Sequence, residues 1–190
     1  ISGIPMPNPF ETNALGSSGL GVSQLSLGAA PFGNLRNKVS EEEAFLTIEE
    51  ALNSGINYVD TAPYYGYGLS EERIGRCLPK LSKHPLISTK VGKLIRPGVR
   101  EGTELFGDRQ PFYLANLDKR FIFDFSYDGV LRSHEESLQR LGVDAVDILH
   151  IHDPDEHFTD AVQGAYRALN RLREDCLLYT SDAADELVGV

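Results

Sequence analysis

Cysteine is nearly absent, with Cys77 and Cys176 the only two in 190 residues. One falls inside a predicted helix and the other near the end, so they form neither a disulfide framework nor a metal-ligand spacing. Positive charge is also in deficit: 18 Lys and Arg face 28 Asp and Glu, for a formal net charge of -10. That balance disfavours broad binding to nucleic acid or anionic membrane, leaves room for a local basic patch around a phosphate, and favours solubility. No apolar run approaches the ~18 residues of a spanning helix, and the amino terminus has no basic segment followed by an apolar core. A cytoplasmic protein with no membrane and no nucleic-acid partner is expected. Hydrophobic content of 41% and charged content of 24% are ordinary, and the length suggests one domain.

The most informative stretch is Tyr58-Val59-Asp60-Thr61-Ala62-Pro63-Tyr64-Tyr65-Gly66. Residues 56–59 read as a buried strand, bounded by Gly55 before and by Pro63 and Gly66 after. Asp60 leaves that strand at its carboxyl end, where a bare carboxylate is costly unless a cation or hydrogen bonds hold it. Leu86-Ile87-Ser88-Thr89-Lys90 repeats the arrangement with a cation, and Val146-Asp147-Ile148-Leu149-His150-Ile151-His152 ends in imidazoles. Three successive strands therefore deliver Asp60, Lys90 and His152 at their carboxyl ends, with Tyr65 on the loop after the first.

Residues 1–15 read as a loose arm, and Gly19-Leu20-Gly21 with residues 23–27 as a hairpin feeding a first strand that Gly28-Ala29-Ala30 follows. Ser40-Glu41-Glu42-Glu43 is a capping box, opening a helix with Ala44, Ile48, Ala51 and Leu52 on one stripe and Gly55 as its stop. Ser70-Glu71-Glu72 starts a second helix carrying Ile74 and Leu78 and ending at Pro79. A third runs from Ser126 to Leu141, with Leu131, His134, Leu138 and Leu141 inward and Gly142 as its stop. Thr159 caps a fourth, containing Ala161, Ala165, Ala168, Leu169 and Leu172. Residues 92–125 show no period, and Pro97, Gly98, Gly102, Gly107 and Pro111 interrupt them. So long a stretch in a compact domain reads as a functional insertion over the mouth of the site, with Phe106, Phe112, Tyr113 and Phe121 supplying apolar contacts. Strand-helix units in this order predict a parallel sheet wound in one direction.

Asp60-Thr61-Ala62-x-x-Tyr65-Gly66, then Ser88-Thr89-Lys90, then Asp147-Ile148-Leu149-x-x-His152-x-Pro154 resemble the aldo-keto reductase superfamily. Residues 93–97 and 125–130 most resemble its aldose 1-dehydrogenases, together with the L-fucose, L-galactose and pyridoxal dehydrogenases. The resemblance implies the (β/α)8 barrel, here its first four units, since whole barrels need roughly 250 residues. It implies a catalytic tetrad of Asp60, Tyr65, Lys90 and His152. Tyr65 rather than Tyr64 is chosen because the family's tyrosine precedes the glycine. Gly28, Ala29, Ala30 and Asp60 would lie against the nicotinamide of NAD or NADP, and the substrate would be a small sugar or aldehyde, an aldose oxidised to its lactone. In such a site an ammonium beside a phenol favours the phenolate, a carboxylate anchors the ammonium, and an imidazole orients the substrate oxygen.

Taken singly, each residue has a plainer reading: Asp60 as a turn cap, Tyr65 as a packing aromatic, Lys90 as an edge charge. Two other functions remain open. One is a non-catalytic, nicotinamide-sensing member of the family. The other is a metal hydrolase using the alternating His150 and His152, with Asp153 and His157 as further ligands; no metal site is expected in the favoured reading. Residues 176–190 resemble translated sequencing adapter more than the fifth strand the family calls for, so residues 1–175 are expected to be the genuine part of one barrel domain. Half a barrel alone would lack the later cofactor-binding strands, would be inactive, and would be poorly soluble or paired through its open edges.

Overall fold

The computed structural model describes residues 8, 10–106, 109–175 and 178–180. A short antiparallel pair, β1 (Thr12–Ala14) and β2 (Gly21–Ser23), precedes β3 (Leu27–Gly28). Then follow α1 (Glu41–Asn53), β4 (Tyr58–Asp60), α2 (Leu69–Cys77), β5 (Leu86–Val91), β6 (Lys93–Pro97), β7 (Lys119–Phe123) and α3 (Tyr127–Leu141). The chain continues through β8 (Val146–Ile151), α4 (Phe158–Asp160), α5 (Tyr166–Glu174) and β9 (Leu178–Thr180). Strands β3, β4, β5, β8 and β9 form one parallel sheet in that order, with β6 and β7 standing apart as an antiparallel pair. Each parallel strand lies beside the one before it, the winding of a barrel wall.

Alternation along these strands splits their side chains between two faces. Val59, Ile87, Val91, Leu149 and Ile151 point outward, into a core shared with Ile48 and Leu52 of α1, Ile74 of α2, Val130 and Leu141 of α3, and Leu169 and Leu172 of α5. Burying each such aliphatic stabilises the fold by about 1.5–3 kcal/mol relative to exposure. Tyr58, Asp60, Ser88, Lys90 and His150 share the inner face, in the registers Asp60 to Ser88 and Lys90 to His150. The inner face of the sheet thus brings Asp60, Ser88, Lys90 and His150 together.

The expected start of α1 is present: Ser40 Oγ accepts from Glu43 N at 3.1 Å, and Glu43 Oε2 accepts from Ser40 N at 2.7 Å. Gly55 after it sits at φ +102°. Ser126 likewise caps α3 through Gly129 N, and Gly142 closes it at φ +67°. Other boundaries differ. Helix α2 begins at Leu69 with Gly68 at its cap, because the Ser70 hydroxyl is used elsewhere, donating to Ala29 O at 2.8 Å. It ends at Cys77, and Pro79 lies in a 3-10 turn beyond. Thr159 caps nothing; α4 starts at Phe158 and joins α5 through a π turn at Ala161–Ala165. There a Cβ on Gly164 would fall 2.2 Å from Phe125 O. On α3, Leu131 and Leu138 are only partly buried, while Val130, Ser133, His134, Ser137 and Leu141 form the inner stripe. Helix α2 packs on α3 so closely that a Cβ on Gly75 would lie 2.5 Å from Leu141 O. Small serines on the facing stripe suit that approach.

Residues 92–125 are not the aperiodic stretch expected. Their ends pair as β6 and β7, from Lys93 with Phe123 to Pro97 with Lys119. The connection folds around two buried charges. Arg100 donates to the carbonyls of Lys119, Tyr113, Ala115 and Asn116, and Glu104 accepts from Tyr67 Oη, Phe121 N and Glu101 N. Burial of charge is tolerable here because backbone groups that water would otherwise serve are its partners. Tyr67, Tyr113 and Phe121 form a second, aromatic cluster above the sheet, against which Tyr64, Tyr65 and Phe112 pack.

Of the tail expected to be foreign, only residues 178–180 are among those described, and they pair in parallel with β8 as β9. The rest of that expectation, like most of the amino-terminal arm, lies outside the described residues. No helix among the described residues is long and apolar enough to cross a membrane.

Candidate active site

Asp60 closes β4 on the inner face. Its Oδ1 accepts from Ser88 Oγ at 2.6 Å and from Lys90 Nζ at 2.8 Å, and its Oδ2 from Lys90 Nζ at 2.7 Å. The third Lys90 donor reaches Thr61 O at 2.9 Å. An ammonium carries three protons, so this one is fully engaged and fixed in place. Tyr58 donates to Ser88 Oγ and also lies 3.3 Å from His150 Nε2, extending the network along the inner face.

Lys90 Nζ stands 4.9 Å from the centre of the Tyr65 ring. The turn that carries Tyr65 is held by Tyr65 N to Ala62 O and by Ser70 N to Tyr65 O. It also rests backbone to backbone on the segment after β3. A Cβ on Gly33 would fall 2.4 Å from Gly66 N, and one on Gly66 2.5 Å from Gly33 Cα. Gly66 is at φ +68°, so glycine is required there both by space and by conformation. Gly33→Ala should therefore push the Tyr65 turn off its seat and cost about 1–3 kcal/mol. A thermal or denaturant melt of the variant checks this, and a loss within experimental error would mean the two segments are free to separate.

His152 follows β8, its N–H donating to Val91 O at 2.9 Å. Its ring lies edge-on to Tyr65 at 6.2 Å and to Tyr64 at 6.1 Å. Burial, reinforced by the Lys93 ammonium, pushes its pKa down to about 3, so the ring is neutral at physiological pH. Tyr64 packs edge to face on Tyr67, Tyr113 and Phe121, and burial pushes its pKa up to about 12. The two neighbouring tyrosines are thereby separated: Tyr65 over the Asp60–Lys90 pair, Tyr64 in the aromatic cluster. Asp60, Lys90, Tyr65 and His152 come together, as their spacing suggested.

The other expected residues divide. Gly28 is exposed, with open space where a Cβ would stand, and Ala30 is half-buried. Ala29 is fully buried in the core, with its N–H on Asp60 O and its carbonyl on Ser70 Oγ, so it lies behind the surface and offers a ligand nothing. The metal alternative does not assemble. His150 is joined to Tyr58, Asp153 to Lys93, and His157 stacks near Phe123 and Phe125. Among the described residues no group of three or more His, Cys, Asp or Glu is placed to hold a metal ion. Lys93 heads the run 93–97 that carries part of the family resemblance, but the sequence assigns it no role at the site. Yet it is 4% exposed and faces the rings of Tyr64, Phe121 and Phe123.

Known proteins are similar to this chain in sequence and in fold. D-threo-aldose 1-dehydrogenase of Pseudomonas sp is 38% identical over 164 residues, covering 85% of this chain and 50% of that protein. Pyridoxal 4-dehydrogenase of Microbacterium luteolum is 39% identical over 178 residues, covering 86% and 52%. Among solved structures, a glycerol dehydrogenase from Gluconobacter oxydans superposes with a TM-score of 0.69 at 25% identity, over 90% of this chain and 47% of that one. The chain thus spans about half the length of these relatives. Residues 24–187 match the description "Aldo/keto reductase family", and the parallel sheet that presents Asp60, Lys90 and His152 is part of that family's (β/α)8 barrel. On this match and this sheet, the chain belongs to the aldo/keto reductase family.

Proposed function

We propose that the intact protein bearing this chain is a nicotinamide-dependent oxidoreductase, with NAD or NADP as cofactor, that oxidises an aldose at its anomeric carbon to a lactone. The observation that carries this reading is the Asp60–Lys90 pair under Tyr65, beside a neutral, buried His152. The residues suit a nicotinamide: exposed Gly28 and the open space over it leave backbone approachable next to Asp60. When bound, the cofactor supplies the hydride acceptor. The chain's own residues manage the proton. As the anomeric C–H bond gives up its hydrogen with both electrons, the hydroxyl proton passes to the Tyr65 oxygen and the C=O bond of the lactone forms. Lys90, whose donors are all engaged, acts on Tyr65 through its charge, as a fixed positive centre facing the ring. Asp60 holds that charge in place. His152, being neutral, can hydrogen-bond the substrate oxygen without bringing a competing charge.

A sugar is supported by the cleft of about 350 Å³ that begins at Asp153, the residue after His152, and is lined also by Tyr64, Phe121, Phe123, Lys93 and Glu156. Aromatic faces suit the apolar side of a sugar ring, and the charged groups suit its hydroxyls. The test is to assay the intact protein with aldoses and pyridoxal, each with NAD and with NADP. Reduction of cofactor dependent on an aldose is expected. Cofactor binding without turnover would instead favour a sensing subunit, and a cofactor-independent hydrolysis sensitive to chelators would return the metal reading.

A further inference from the structure

Lys93 is buried where an apolar side chain would fill the space at less cost, since an ammonium loses its water there. It heads β6, yet its Nζ reaches across to the residue after His152 and pairs with the Asp153 carboxylate. Three aromatic faces enclose the same Nζ, with ring centres 4.7 Å (Tyr64), 4.8 Å (Phe121) and 5.3 Å (Phe123) away. Asp153 adopts φ +49°, a left-handed backbone that L residues other than glycine, asparagine and aspartate seldom hold. That twist turns the carboxylate back toward the site, where Oδ2 lies 3.7 Å from His152 Nε2. The other ring nitrogen, Nδ1, is buried and has no hydrogen-bond partner.

A bare nitrogen lone pair without a partner is tolerated better in such a place than an N–H would be, and a carboxylate near Nε2 favours the proton there. We propose that Lys93 and Asp153 are positioning residues for His152: the carboxylate selects the neutral tautomer with hydrogen on Nε2, and the ammonium offsets that carboxylate so the ring does not take a second proton. Every charged or titratable group around the ring fits. Lys90 of β5, His150 of β8 and Lys93 all disfavour protonation, Asp153 alone favours it, and Tyr64 and Tyr65 approach with their rings edge-on. The consequence for catalysis rests on the function proposed above: an Nε2–H would donate to the substrate oxygen.

Imidazole nitrogen NMR reads both halves without turnover. In the unaltered protein His152 should show the Nε2–H tautomer and no protonation between about pH 8 and about pH 5. In Lys93→Met the unopposed carboxylate should raise its midpoint by at least about one pH unit, with the acid limb of kcat/KM in the intact protein moving up alike. Lys93→Arg should leave the His152 titration where it is in the unaltered protein, and Lys93→Met combined with Asp153→Asn should lose the new titration. Asp153→Asn alone, a change at a 63% exposed side chain, should fold and give mixed tautomers. A Lys93→Met ring that titrates no higher than before, or an Asp153→Asn ring that stays wholly Nε2–H, overturns the proposal. Should Lys93→Met not fold, the tautomer result on Asp153→Asn decides. The NMR pattern without aldose oxidation would remove the proposed function and leave this inference standing; oxidation with the pattern absent would do the reverse.

Discussion

Tyr65→Phe should lower turnover of the intact protein at least about 10²-fold, the range expected when a positioned acid or base is removed. The change takes away one oxygen and little else. Among the described residues the Tyr65 hydroxyl has no hydrogen-bond partner, so folding does not depend on it, and a phenyl ring can keep the edge-on packing against His152 and the place over Lys90. Binding of the nicotinamide should accordingly stay within a few-fold of the unaltered protein. Tyr64→Phe is the matched control. Tyr64 packs in the aromatic cluster, and what it offers the cleft is its ring, which phenylalanine keeps; burial holds its phenol protonated, so Tyr64→Phe should retain most of the turnover. Steady-state rates for both variants with a fluorescence titration of the cofactor check this. Equal losses in the two would mean the site has been assigned to the wrong ring.

The second large effect concerns stability. Glu71 on α2 is fully buried; its Oε2 accepts from Arg140 Nε of α3 at 2.6 Å and its Oε1 from Thr89 Oγ1 of β5 at 2.6 Å. Removing one partner of a buried pair leaves a charge with neither water nor counterion. Arg140→Met should therefore cost about 3–5 kcal/mol, seen as a lower denaturation midpoint with unchanged slope. Replacing both partners at once, Glu71→Leu with Arg140→Met, should recover much of that loss, because the desolvation of both charges disappears together. A single-variant loss below about 1 kcal/mol would put this pair with exposed ones instead. The pair also bears on the site indirectly. Thr89 stands between Ser88 and Lys90 on β5, so the same strand that is pinned outward to Glu71 carries Lys90 inward to Asp60.

These two sites differ in how plainly the sequence announces them. Asp60, Lys90 and His152 each end an apolar run, and strand period alone is enough to set them at one rim of one sheet. Local chemistry was equally legible where its partners are close in the chain: Ser40 with Glu43, and Gly142 after Leu141. What escaped were partnerships formed at a distance. Glu71 with Arg140, Tyr67 with Glu104, Arg100 with the carbonyls of residues 113–119, and Lys93 with Asp153 leave no periodic trace, since hydrophobic pattern records only which side is apolar. Ser70 misled for a related reason: a serine two residues into a helix looks like a cap, but its hydroxyl goes to Ala29 on another element. The hairpin of β6 and β7 lacked alternation because its residues divide between a buried charge, an aromatic cluster and solvent: Lys93 and Leu94 are buried, Phe121 nearly so, and Ile122 and Phe123 exposed.

The most direct measurement follows the hydrogen itself. An aldose carrying deuterium at its anomeric carbon would be offered to the intact protein with oxidised nicotinamide, and the reduced cofactor recovered. Deuterium bound to the nicotinamide ring, formed by the unaltered protein and lost in Tyr65→Phe, is the expected result. Deuterium that stays on the sugar or washes into solvent, with the protein folded and the cofactor bound, would contradict hydride transfer at Asp60, Tyr65, Lys90 and His152.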